Sequence, residues 1–265
     1  MTPILLTPLD LAAAAILVVL DGVLSVVLGL GLHRQLAIAS VRMVVQLLLV
    51  GELLRAVFSL QHPAVTSLII VVMVLAAARE VATRPAQRLP RHGNLVVGGF
   101  AVGAATALTS LLALATAIRP QPWYDPHYAV PLAGIVLGNA MNAASLVLDS
   151  MLEGVAVQVR VIETRLAGGE TFRAATQPLL RTAIRRGMLP TLNTMSAAGI
   201  VTLPGIMTGQ ILAGMDPLDA VKYQILLMFL LAGGSGIAAA LTAFAARARL
   251  TDKRDRLRLD RMTRR

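Results

Sequence analysis

The sequence predicts an all-α, polytopic membrane protein of about seven transmembrane helices, with the N-terminus outside and the C-terminus in the cytoplasm. Three observations carry that expectation. Only 14% of the 265 residues are charged, whereas 56% are hydrophobic and the mean hydropathy is +0.73. A soluble chain of this size needs a solvated face on nearly every helix, which so little charge cannot provide. Apolar runs long enough to cross a hydrocarbon layer of ~30 Å recur along the chain. The arginines gather between alternate runs and at the C-terminus, as basic loops do beside an anionic cytoplasmic leaflet.

Taken in order, the first span covers roughly Leu5 to Leu30, with Thr7-Pro8 near its start and Asp21 inside it. Gly31 to Gln35 connects it to a second span, Leu36 to Phe58, which contains Arg42, Gln46, Glu52 and Arg55. After the turn Gln61-His62-Pro63 comes the third and shortest span, Ala64 to Ala78, which needs its flanks to cross. The connection Arg79 to Gly93, REVATRPAQRLPRHG, is basic and broken by prolines. A fourth span, Asn94 to Ile118, is rich in Gly, Ala and Thr, and the loop RPQPWYDPHY after it places aromatics at the bilayer interface. The fifth span, PLAGIVLGNAMNAASLVLDSM (Pro131 to Met151), and the sixth, LNTMSAAGIVTLPGIMTGQIL (Leu192 to Leu212), carry amides, small residues and a proline where a plain lipid anchor carries leucine. Asp216-Pro217 caps and opens a seventh helix with Asp219 in its first turn, ending near Ala246. The tail, Arg247 to Arg265, is charged and expected to be partly disordered.

The chain reads as a single transmembrane domain, residues 1–265, without a dividing linker or an internal repeat. Arg34, the 79–93 connection, the 152–190 loop and the 247–265 tail fall on one side, and Arg55, Arg119 and Lys222 on the other. That asymmetry sets the expected orientation. The net charge of +10 is explained by these loops and does not require a nucleic-acid partner; the partner that composition itself implies is membrane lipid. No cysteine is present, which excludes disulfides and thiolate metal sites within the chain. With no positive n-region and no clear cleavage site, the first apolar run is expected to remain as a span.

Several polar residues sit where lipid would penalise them. Asp21 and Arg42 are expected to form an ion pair between the first two helices, since neither charge tolerates hydrocarbon. Glu52 and Arg55 are spaced for a local surface pair. Asn139, Asn142 and Asp149 share one face of the fifth span with Ser145; such a stripe lines a water-filled path or bonds to a neighbouring helix. Thr202, Thr208 and Gln210 add polar groups on the sixth span, where Pro204 is expected to kink the helix. Met141 and Met207 offer thioethers, weak ligands that favour soft metals, although methionine in a membrane helix more often packs.

The 152–190 loop carries six arginines. Gly168-Gly169 ends a helical continuation of the fifth span, and an amphipathic segment from Glu170 to Arg186 follows. It sets Phe172 and Leu179 against Arg173, Arg181 and Arg185. Such a helix lies on the membrane or docks a cytosolic partner. No GxxxxGK[ST] phosphate loop is present, so any use of ATP belongs to another polypeptide. Neither HExxH nor GxSxG occurs, and the chain shows no catalytic site.

LGNAMNAASLVLD (Leu137 to Asp149), LPTLNTMSAAGIVTLPGIMTGQILAGMDP (Leu189 to Pro217) and AVKYQI (Ala220 to Ile225) closely resemble the FetB/YbbM iron-export permease family, formerly an uncharacterised family. The resemblance covers nearly the whole chain. It implies a half-transporter that works with a separate cytosolic ABC-type ATPase, where ATP and magnesium are bound, and that assembles with a second copy of itself in a bacterial plasma (inner) membrane. It also implies an extracellular N-terminus and about seven helices. By position, Gly138 to Asn142 and Leu203 to Gln210 are the family signatures, and Leu166 to Pro190 matches the cytosolic ATPase-coupling loop. Phe172, Arg173, Leu179, Arg181 and Arg185 are then the coupling residues. Gly169-Glu170 departs from the Ala-Ser/Thr expected there. The implied substrate is iron; an organic or nucleotide-sugar substrate, or a purely structural membrane role, are the alternatives.

Overall fold

The computed structural model describes residues 7–60, 62–89, 92–252 and 254–264. Among them run α1 (Pro8–Val27), α2 (His33–Leu60), α3 (Pro63–Thr83), α4 (Gly93–Ala113), α5 (Pro126–Val157), α6 (Val159–Ala167), α7 (Phe172–Ala175), α8 (Gln177–Ala197), α9 (Gly205–Leu212) and α10 (Pro217–Arg249). Six of these helices, α1 to α5 and α10, are long and apolar enough to cross a membrane, α4 being extended by a π-helical turn over Leu114–Ile118. The protein is therefore an all-α, multi-pass membrane protein, its only sheet being one short ladder among the described residues. Leu5 and Leu6, where the first predicted span begins, and Gln61 of the predicted turn lie outside the described residues.

Four of the long helices start the same way, with a polar residue followed by proline. Thr7, His62, Asp125 and Asp216 each accept a backbone N–H from the first turn, and Pro8, Pro63, Pro126 and Pro217 occupy the position that needs no donor. Thr7 and Asp10 close a reciprocal capping box. The third span is longer than hydropathy suggests, because α3 continues as regular helix through Arg79 and Glu80 to Thr83.

Three expectations are corrected. The predicted sixth span, Leu192 to Leu212, is not one helix. α8 stops at Ala197, Gly199 adopts φ +85°, and Pro204 stands ahead of α9. The left-handed glycine and a proline that lacks a donor forbid a continuous helix, so a turn interrupts the segment between α8 and α9. The carbonyl of Ala197 closes that turn by accepting the N–H groups of Val201 and Thr202 at 2.9 and 3.1 Å. Second, the described residues of the tail are folded against the bundle. Thr263–Arg264 pairs antiparallel with Gln87–Arg88, Arg261 donates to the carbonyls of Arg249 and Thr251, and Leu257 and Met262 pack on the core. Third, Arg42 does not pair with Asp21; its Nη2 lies 2.6 Å from Glu80 Oε1, on the stretch of α3 beyond the predicted span.

The main core is shared by α3, α4, α5, α8 and α10, with Ile162 of α6 and Phe172 and Ala175 of α7 closing it at the end that carries the tail. A smaller cluster of Ala113, Leu114, Ala129, Leu132, Val136, Leu227 and Leu230 fills the opposite end. Small residues set the close approaches. A Cβ on Gly98 would lie 2.5 Å from Val81 Cγ1, and one on Gly187 would lie 2.9 Å from the carbonyl oxygen of Ala143. By contrast α1 and α2 form a hairpin arm: Ser25 and Val57 are the only residues of these two helices that are buried.

Candidate functional site

The polar stripe of α5 meets the connection that follows α3. Arg84 caps α3, one turn beyond Glu80, and its backbone N–H donates to the Glu80 carbonyl. Its Nη1 donates to Asn142 Oδ1 at 2.9 Å. Two residues on, the N–H of Ala86 donates to Asp149 Oδ1 at 3.2 Å. The connection is itself pinned by buried Asn94, whose Oδ1 accepts the N–H of Leu89 at 3.0 Å while its Nδ2 donates to the carbonyl of Ala82. Arg84, Asn142, Ser145, Leu146, Asp149 and Pro190 together line a cavity of about 260 Å³. Seven residues separate Asn142 from Asp149, two helical turns, which is why both look the same way.

Beside it lies a wider groove of about 510 Å³, lined by Gln35, Arg42, Gln46 and Glu80 with Ile38, Ala39, Met43 and Leu47. Glu80 of this groove and Arg84 of the cavity are four residues apart, one helical turn. Each opening carries one positive and one negative side chain, Arg42 with Glu80 and Arg84 with Asp149.

The other sequence-predicted residues are distributed differently. Asn139 is half-buried and spends its Nδ2 on the carbonyl of Ile135 in its own helix. Thr202 and Thr208 bond to backbone carbonyls of Ala197 and Pro204, and the Oε1 of Gln210 is buried without a hydrogen-bond partner. These three belong to the turn and to α9, which packs on α10, and they do not line the Asn142 cavity. Met141 packs against the main core and Met207 is half-buried on α9. Among the described residues no three His, Cys, Asp or Glu side chains gather closely enough to hold a metal ion.

The amphipathic loop needs a correction as well. Phe172 is 2% exposed and Leu179 7%, both inside the protein's own core, so neither is a free anchor for another chain. Arg173, Arg181 and Arg185 are exposed, and so are Val157 and Val161 on the neighbouring turns. Glu52 and Arg55 do form the local pair, at 3.2 Å. Two site residues escape sequence reasoning. Arg84 sits in a basic connection that reads as a topological signal, and Glu80 falls beyond the hydropathy limit of its span.

What the fold and this site define is a multi-pass helical membrane protein with a charged notch at the end where its tail folds. The chain belongs to the uncharacterised protein family UPF0014, which matches residues 8–251. It is 42% identical over 205 residues to the UPF0014 membrane protein slr1647 of Synechocystis, covering 77% of this chain and 78% of that one. To the UPF0014 membrane protein YjkA of Bacillus subtilis it is 34% identical, over 83% and 86% of the two chains. A protein of Escherichia coli named "Probable iron export permease protein FetB" is 30% identical over 94% of this chain and 93% of its own length. No solved structure matches the chain.

Proposed function

We propose that this protein is the membrane subunit of an ATP-driven exporter of iron, working as two copies with a separate cytosolic ABC-type ATPase that binds ATP and magnesium. The broken segment α8–α9 serves as the sixth of seven crossings, so the N-terminus lies outside and the tail in the cytoplasm of a bacterial inner membrane. The arginine distribution supports that orientation. Residues 1–265 act as one transmembrane domain, and the 152–190 segment is its coupling region. The ATPase meets Arg173, Arg181 and Arg185, the exposed side of a helical layer whose inner side is Phe172 and Leu179.

The observation that carries the proposal is the contact of Arg84 with Asn142 beside Asp149. An amide oxygen and a carboxylate are hard donors suited to a cation. Their oxygens accept N–H groups from Arg84 and Ala86; on this reading the guanidinium stands where a metal cation enters from the cytoplasm. Displacing Arg84 opens the path, with Asn139 one turn deeper and Thr202, Thr208, Gln210 and Met207 nearer the outer end. Arg84 also motivates a second proposal, an organic phosphate such as a nucleotide sugar, because a guanidinium binds phosphate through paired N–H groups.

Reconstitution with the partner ATPase in liposomes separates the two. For iron, Asp149→Asn lowers Fe²⁺ export at least tenfold with assembly intact, and Arg84→Gln preserves or raises it. For a phosphate-bearing substrate, Arg84→Gln abolishes transport and Fe²⁺ is not carried. Unchanged transport of both by Asp149→Asn and Arg84→Gln overturns the assignment of this cavity to the path.

A further inference from the structure

The hairpin arm leaves charge in an unusual place. Asp21 lies six residues from the end of α1, about 9 Å along the helix, and Arg42 nine residues from the start of α2, about 13 Å along it. Both helix ends flank the same short turn, so the two charges lie at nearly the same depth, within the reach of one arginine side chain. Intramembrane charges face a protein interior or an aqueous cavity and pair with one another. Asp21 is exposed, and among the described residues no ion pair involves it. Arg42 gives one contact to Glu80 yet its side chain remains 54% exposed, along a groove whose walls also carry Gln35 and Gln46. Around these groups the arm is apolar and almost wholly uncovered: Leu17, Leu24, Ile38 and Leu49 are each more than half exposed.

Lipid can cover the leucines but not the charges. The arm therefore presents a negative group and a positive group at matched depth, which is the pattern of a self-complementary surface: in a twofold contact the patch meets itself, and residue i of each copy touches residue j of the other. We propose that two copies of the chain meet through their α1–α2 arms, the groove between α2 and α3 of each copy receiving α1 of the other, so that the partner subunit's Asp21 completes the Arg42–Glu80 cluster. The proposal rests on the two-copy reading above and assigns its interface. It also accounts for the weak attachment of the arm to its own bundle, because a segment that packs mainly between copies needs little burial within one. The interface then lies next to the Arg84–Asn142 cavity, separated from it by one turn of α3.

The cysteine-free chain makes the test direct. Two differently tagged copies are co-expressed, one carrying Asp21→Cys and the other Arg42→Cys, and native membranes are oxidised with copper phenanthroline. The expected result is a disulfide-linked pair bearing both tags, at least tenfold above a control in which both copies carry Phe229→Cys, at an exposed position of α10. Without cysteines, Asp21→Arg is expected to lower the dimer fraction at least fivefold in detergent, and Arg42→Asp in the same chain to restore it. The melting midpoint of Asp21→Arg in detergent separates the two causes: a parental midpoint with a lowered dimer fraction is the expected result, and a lowered midpoint with the dimer fraction unchanged at matched folded protein overturns the interface. If the two tags never link while light scattering still finds dimers, the interface lies elsewhere and the proposal falls, leaving the two-copy reading standing. A monodisperse monomer in both detergent and membrane cross-linking overturns both.

Discussion

Replacing Phe172 by alanine distinguishes a core residue from a docking anchor. Phe172 is 2% exposed and packs with Ala175, Leu179, Leu180 and Leu250 in the main cluster. Removing a buried phenyl ring costs about 3–5 kcal/mol, the lost transfer free energy plus the cavity left behind. At about 2–4 °C per kcal/mol for a chain of this size, the melting midpoint falls by on the order of 10 °C. Arg173, the next residue, is exposed, and its alanine variant stays within about 0.5 kcal/mol of the parent. The assay is thermal stability of the purified chain in detergent, with no ATPase present, read by size-exclusion chromatography after heating. A parental midpoint for Phe172→Ala, combined with lost capture of the ATPase, would refute the reasoning, because it would mean the ring serves the partner and not the fold. The converse pattern is expected for Arg173→Ala combined with Arg181→Ala: unchanged melting and weakened capture.

Other outcomes follow from single contacts. Gly187→Ala is expected to destabilise by about 1–3 kcal/mol, since its Cβ meets Val147 and the immovable carbonyl of Ala143, whereas Gly236→Ala, facing the flexible end of Met188 at 3.8 Å, stays near neutral; the same melting assay ranks them. In intact cells an impermeant thiol reagent labels Trp123→Cys and not Arg181→Cys, and the reverse result inverts the topology. The Asp252 carboxyl is lowered to about 2, chiefly by the backbone N–H of Arg256 and then by those of Arg254 and the Arg256 side chain. A depressed carboxylate stabilises the folded tail fully above its ordinary value of 3.8, and that contribution disappears as pH falls through about 2. A carboxyl NMR titration of Asp252 with its midpoint near 3.8 would show that the tail clamp is not formed.

Local signals in the sequence translated well where the physics is local. The polar-residue-then-proline start at Asp216 is visible as written, since a cap needs only its own first turn, whereas α5 opens at Pro126 behind Asp125, five residues before the span expected from Pro131. Gly168-Gly169 ends α6, with Gly169 at φ +88°. Asn142 and Asp149 fall in one cavity because spacing along a single helix fixes a shared face. What failed was information about neighbours. An apolar stripe at Phe172 and Leu179 says that a face is covered, not whether the same chain covers it. The charge on Arg42 demanded a partner, but hydropathy ended α3 at Ala78 and so hid Glu80. Hydropathy also sums over Leu192 to Leu212 without seeing dihedral angles, although Gly199 and Pro204 were the residues that broke it. Arg84 was unreadable as a site residue, because its contact with Asn142 spans 58 positions and depends on how the connection returns to α5.

Helix α5 has a mechanical consequence. Its 32 residues make a beam about 48 Å long with no break from Pro126 to Val157. Near its lower end, Gly154 is pressed directly by Leu179 of α8, and densely packed interiors transmit strain with little compression. A slack joint between α8 and α5 would absorb a displacement as bending; this one is closely packed. A shift of α8 at Leu179 finds no slack at this joint and is passed to α5 only five residues from Asp149, whose Oδ1 accepts the N–H of Ala86.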